Sequence, residues 1–183
     1  MINSTFFRIH NHYLKNNSYK IVSPQIINLD LWFEDFVVNE LVIIKEEILK
    51  IEDDDLRDLC LVALSAIIVN VSNQDSDTRY VRVIKQLKHK DVLEKYMRQL
   101  KKIRKLMLWS YMEIKKGQTL VKVADSREMD IFPEDSADLC VTSPPYPNAY
   151  DYHLYHKYRL FWLDMNPYHL RRNEIGAHAD SRN

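Results

Sequence analysis

The sequence predicts an α+β chain in two parts, a helical region over residues 1–112 and a partial α/β region over residues 113–183. Three observations carry this. Apolar residues recur every three or four positions between residues 34 and 111. At Gln118 the pattern changes to short β-type runs. The chain also holds only two glycines in 183 residues, against a usual share of about 7%. The length suffices for one ordinary domain, or for a helical region joined to half of an α/β domain.

Residues 1–28 show weak periodicity and a loop-like Ser23-Pro24, and read as extended or poorly ordered up to Leu29-Asp30-Leu31-Trp32-Phe33. Over residues 34–51, Phe36, Val37, Leu41, Ile44, Ile48 and Ile51 fall on one helical face with Glu and Lys opposite. Asp53-Asp54-Asp55 supplies an N-cap and first-turn negative charge for a second helix. Its buried stripe is Leu56, Leu59, Cys60, Ala63, Ile67 and Val71, and it ends near Ser72-Asn73. Residues 74–78 read as a polar loop. Arg79-Tyr80-Val81-Arg82 opens a basic stretch, and Asp91 caps a long helix to about Tyr111, with Leu93, Tyr96, Met97, Leu100, Ile103 and Met107 as its apolar positions. Beyond Gln118, residues 119–124 read as a strand and 125–127 as a loop. Residues 132–136 form a turn, and 137–142 a short apolar strand. Residues 151–163 are aromatic-rich and helix-compatible, and residues 171–183 form a polar tail.

Composition narrows the function classes. Lys and Arg number 26 against 26 Asp and Glu, so DNA contact depends on local clustering rather than a global basic field. Arg79, Arg82 and Lys85 form the clearest such cluster; its simpler reading is a solvated helix face. Cys60 and Cys140 sit in apolar runs outside any Cys-x-x-Cys pair and read as buried core residues, which fits a reducing compartment. The start lacks the apolar stretch of a secretory signal, and the longest apolar run, residues 59–71, is too short to span a bilayer. The chain reads as soluble and cytoplasmic, with no membrane partner. His153 and His156 have no third ligand at metal-binding spacing and read as helix-surface residues; no metal is expected. The glycine deficit excludes a Gly-rich phosphate or nucleoside loop within these residues.

One motif carries chemistry: the apolar run Asp138-Leu139-Cys140-Val141-Thr142 ending on Ser143-Pro144-Pro145-Tyr146. A Ser-Pro-Pro-Tyr tetrapeptide alone is usually a linker or polyproline turn. Here Val123-Ala124-Asp125-Ser126-Arg127 and Pro133-Glu134-Asp135-Ser136-Ala137-Asp138-Leu139 precede it. Pro147-Asn148-Ala149-Tyr150-Asp151-Tyr152, His156-Lys157 and Leu160-Phe161-Trp162-Leu163 follow. Together these resemble motif IV and its flanks in the exocyclic-amine DNA methyltransferases, which modify cytosine N4 or adenine N6. The helical part over residues 31–73 resembles the region preceding the motif in restriction-modification members.

The resemblance implies part of a Rossmann-like sheet, S-adenosyl-L-methionine as methyl donor and double-stranded DNA as substrate. Ser143 and the carbonyls of Pro144 and Pro145 would accept the target amine's hydrogens and so localise a lone pair otherwise conjugated to the ring. Proline's fixed φ holds those carbonyls in place. Tyr146 would stack on the flipped base, a contact worth roughly 1–3 kcal/mol at other stacking sites. Serine at the first motif position favours cytosine N4; adenine N6 is the alternative. Asp125 matches the acidic residue near the donor's adenine amine, and equally suits a loop-capping aspartate. The family's glycine loop is missing. The chain is therefore a fragment, or half of a split enzyme whose second chain supplies that loop. The rival from another class is a non-catalytic DNA-binding or interaction module derived from a truncated methyltransferase.

Overall fold

The computed structural model describes residues 27–113, 117, 119–128, 132–144, 146 and 151–175. In chain order these hold α1 (Leu29–Trp32), α2 (Asp35–Leu49), α3 (Asp54–Val71), β1 (Gln74–Ser76), β2 (Arg79–Arg82), α4 (Asp91–Glu113), α5 (Tyr152–Tyr155), α6 (Lys157–Trp162) and α7 (Pro167–Asn173). The expected extended start up to residue 26 and the tail beyond residue 175 lie outside the described residues.

The central element is α3, because three helices and a strand pack on it. The Asp53 carboxylate accepts the Leu56 N–H at 2.9 Å, and Asp54 and Asp55 sit in the first turn, where they favour the positive helix end. Its apolar spacing buries Cys60, Ala63, Leu64, Ile67, Ile68 and Val71. Helices α2, α4 and α6 meet this surface, and β1 abuts its C-terminal end. From α2 come Val37, Leu41, Ile44 and Ile48, all essentially inaccessible. The buried Glu40 accepts the Lys90 N–H at 2.6 Å and so pins the entry to α4, where Lys90 itself takes a left-handed φ of 78°. Asp91 does not cap α4 forward as expected. Its carboxylate accepts the Lys88 N–H at 2.9 Å and closes the preceding turn instead.

Residues 74–78 depart from the expected polar loop. Strands β1 and β2 pair antiparallel, Gln74 opposite Arg82 and Ser76 opposite Arg79. Polarity misled because the polar groups find acceptors inside. The buried Gln74 donates from Nε2 to the Ser76 carbonyl at 2.8 Å and the Tyr155 carbonyl at 3.1 Å. Asn73 donates its N–H to Trp32 O at 2.7 Å and accepts at its own carbonyl from Val83 N at 2.7 Å, which ties α1 to the hairpin. These bonds satisfy the amide nitrogen of Gln74, while its Oε1 is buried without a partner among the described residues.

Helix α4 packs through Val92, Leu93, Tyr96 and Leu100, with Ile103 partly buried. Met107, expected in the buried stripe, is exposed, as are Leu106, Leu108, Trp109, Tyr111 and Met112, because α4 runs past the described elements that could cover it. The aromatic helices after the motif are integral to the core: Tyr158 and Trp162 belong to the same buried cluster as α2–α4. Trp32 stacks on Tyr80 with centroids 4.9 Å apart, and the Tyr80 and Tyr158 hydroxyls are 2.8 Å apart. The architecture is α+β, dominated by helices, with one two-stranded antiparallel sheet among the described residues. Among those residues no helix is long and apolar enough to cross a membrane.

Candidate functional site

The segment that carries the motif is built differently from the body. Every described residue from 119 to 144 is exposed, and neither 119–124 nor 137–142 forms a strand. The expected partial Rossmann-like sheet is therefore not formed among the described residues. A strand exists through its ladder partners. Among the described residues the link between these two runs holds no crossover helix to make them parallel neighbours, and β1 and β2 pair only with each other. Cys140, expected in the core, is exposed for the same reason: the run that carries it has no sheet to cover it among the described residues. Val121, Val123, Leu139 and Val141 are all more than 80% exposed, an unusual placement for four β-branched or aliphatic side chains in two adjacent runs. The expected turn does form at Glu134-Asp135, with Asp135 at φ 57°, a conformation aspartate tolerates. Ser143 and Pro144 are exposed, Tyr146 is 63% exposed, and Pro145 and residues 147–150 lie outside the described residues.

Asp125 is paired within its own turn. Its carboxylate accepts the Arg127 backbone N–H at 2.9 Å and the guanidinium at 2.6–3.2 Å. Hydrogen bonds from the Arg127 side chain, then its backbone, hold the carboxyl down to about 2. This is the geometry of a loop-capping aspartate. The methyl donor has little else to rest on: a Cβ added at Gly117 would meet nothing within 4 Å, so no close cradle surrounds that glycine, and the Asp125 carboxylate is paired with Arg127. The described residues do not fit S-adenosyl-L-methionine by themselves.

The three basic residues singled out for DNA fall into two kinds. Arg79 is exposed on the hairpin with Nη1 3.2 Å from Asp75, and Arg82, also exposed, donates from Nε to Leu31 O at 2.8 Å. Lys85 turns inward. Its ammonium donates to Val69 O at 2.5 Å and Gln74 O at 2.7 Å, where it satisfies a carbonyl of the last turn of α3. Desolvation lowers its pKa, with Asp75 opposing.

A second constellation escaped sequence reasoning. A cavity of about 420 Å³ is lined by Ser65, Leu163, Leu170 and groups from α5 and α6. His153, expected at the helix surface, is buried beside Glu174, with Nδ1 2.7 Å from Oε2. Glu174 also accepts the N–H groups of Tyr152 at 2.5 Å and His153 at 3.2 Å, so it caps α5 from across the chain. His156 is half-buried, with Nδ1 3.4 Å from Arg159 Nη1. Burial, then the Arg159 charge, lower its pKa, against the pull of Asp77 and Glu174. Arg159 in turn donates to Ser65 O at 3.1 Å and pairs with Asp77. The i, i+3 pair of histidines was visible in sequence. Glu174, twenty-one positions from His153, follows no local spacing, and only the α5–α7 packing brings it there.

Set against known protein families, curated proteins and solved structures, the chain matches none.

Proposed function

We propose that the chain is the base-binding half of a site-specific DNA methyltransferase that transfers a methyl group from S-adenosyl-L-methionine to an exocyclic base amine, cytosine N4 in preference to adenine N6. The observation that carries this reading is the exposure of every described residue from 119 to 144, where Ser143 and Pro144 follow a run whose Leu139 and Val141 have no cover among the described residues. Strand-type apolar residues left in solvent beside a catalytic-type motif are what a half-sheet presents to polypeptide that completes it. The partner on this reading is a second chain with a Gly-rich strand–loop–helix, which adds strands to residues 119–124 and 137–142 and holds the donor. It thereby supplies the Rossmann-like sheet and the glycines that these 183 residues lack.

Within that complex Ser143 and the Pro144 and Pro145 carbonyls receive the amine hydrogens, and Tyr146 stacks on the flipped base. Asp125 leaves Arg127 to approach the donor, or stays as the turn cap. Arg79 and Arg82 on the β1–β2 hairpin face duplex phosphates; Lys85, engaged inside, acts on the hairpin's position. Tritium transfer from labelled donor to duplex DNA, with the chain and its Gly-rich complement combined, tests the reading. Tyr146→Ala should lower turnover strongly there, and unchanged turnover removes Tyr146 from the site.

A further inference from the structure

We propose that the α5–α7 cavity binds a small neutral molecule with an apolar body and an adjacent hydrogen-bond donor and acceptor, such as a primary carboxamide or an aminoheterocycle. The volume of about 420 Å³ lies in the range of small-molecule sites, which pair apolar walls with a few placed polar groups. Leu160, Leu163, Leu170 and the Tyr152 ring supply the walls.

The polar character follows from the partners of the two imidazoles. Glu174 accepts at Nδ1 of His153, so the neutral ring carries its proton there and a lone pair on Nε2. Arg159 can only donate, so Nδ1 of His156 is its acceptor, and the proton of the neutral ring sits on Nε2. No hydrogen bond engages either Nε2 among the described residues. With both rings neutral, the cavity thus offers one acceptor and one donor, His153 in α5 and His156 at the junction of α5 and α6.

Charge selection follows from the same contacts. Arg159 is engaged with Ser65 O, His156 and Asp77, and Glu174 with His153 and two backbone N–H groups. Both charges are already compensated by these contacts, so a neutral head group fits, whereas an ionised one would have to compete with Asp77 or His153 for its counter-charge. This site lies outside the Ser-Pro-Pro-Tyr motif and does not depend on methyl transfer.

The test is a titration of the full chain with benzamide, benzoate and toluene, read from the Cε1–H signals of His153 and His156 in carbon–proton correlation spectra. Benzamide should shift both signals saturably and bind roughly tenfold more tightly than either analogue, the effect of one well-made hydrogen bond. His156→Phe keeps the ring volume and removes the donor. It should weaken benzamide roughly tenfold at an unchanged melting temperature. His153→Leu, which removes the acceptor and keeps an apolar side chain of similar size, serves as the second variant if His156→Phe is unfolded by circular dichroism, and should weaken benzamide likewise. The proposal is overturned if benzamide produces no saturable shift, if toluene or benzoate binds equally well, or if a folded variant binds benzamide like the parent chain.

Discussion

Replacing Trp162 with Ala tests whether the segment after the motif is a structural member of the helical body. Trp162 is 0% exposed and meets Phe33 edge-on with ring centroids 5.9 Å apart, on a helix packed against α3. Burial of a tryptophan removes about 150–250 Å² from water. At about 25 cal/mol per Å² that is worth about 4–6 kcal/mol. The indole Nε1 is buried without a hydrogen-bond partner among the described residues, which offsets about 1–3 kcal/mol. A loss of about 3 kcal/mol is therefore expected for Trp162→Ala, at the lower end of aromatic truncations in cores. Urea unfolding followed by far-ultraviolet circular dichroism reads it. With a slope of about 1–3 kcal/mol per molar, the midpoint should fall by about 1–3 M. Trp162→Phe keeps an edge toward Phe33 and removes the unsatisfied N–H, so it should change stability by less than about 1.5 kcal/mol. A Trp162→Ala chain as stable as its parent refutes the placement of α6 in the core.

Asp53→Ala removes the cap on Leu56 N–H and should lower stability by about 1 kcal/mol, measured by the same unfolding curve; no change means α3 does not rely on that cap. Tyr158 and Tyr96 have phenols raised above their ordinary range, mainly by burial. A raised folded-state value gives stability that is present below about pH 10 and lost as pH rises beyond it. Absorbance at 295 nm should show these two ionising only together with loss of helix, and ionisation ahead of unfolding contradicts their burial. Cys140 is exposed and Cys60 buried, its thiol pushed up by desolvation. A thiol reagent should modify one cysteine in the native chain and the second only in denaturant; two fast modifications oppose the packing of Cys60. Carbon-detected titration of Asp125 should follow its carboxyl to about 2 and find it returned toward the ordinary carboxylate range in Arg127→Ala; an unmoved titration means the turn does not hold it.

Where burial is set by local periodicity, the sequence was readable. Ranges near 34–51 and 54–71, and a long helix from Asp91, follow from apolar residues three and four apart, and all three helices form close to those limits. Misreadings came where a residue's environment depends on distant chain. Gln74 enters a strand by pairing with Arg82, and its side chain is buried where the distant Tyr155 carbonyl accepts from it. His153 is buried because Glu174 reaches it. Met107 is exposed because, among the described residues, nothing lies over that stretch of α4. The runs at 119–124 and 137–142 have strand composition, but composition cannot provide a neighbouring strand, and Cys140 stays in solvent with them. The motif was legible as a string of residue types. Its geometry depends on what pairs with it.

On the proposed reading, these residues hold the base side of a methyltransferase site and a second chain supplies the donor-binding half. Calorimetric titration with S-adenosyl-L-methionine probes this dependence, first on this chain alone and then on the chain mixed with the product of an adjoining Gly-rich reading frame. The chain alone should give no heat of binding, and the mixture should bind saturably at one to one. Saturable binding by the chain alone, or none by the mixture, contradicts the split-site reading.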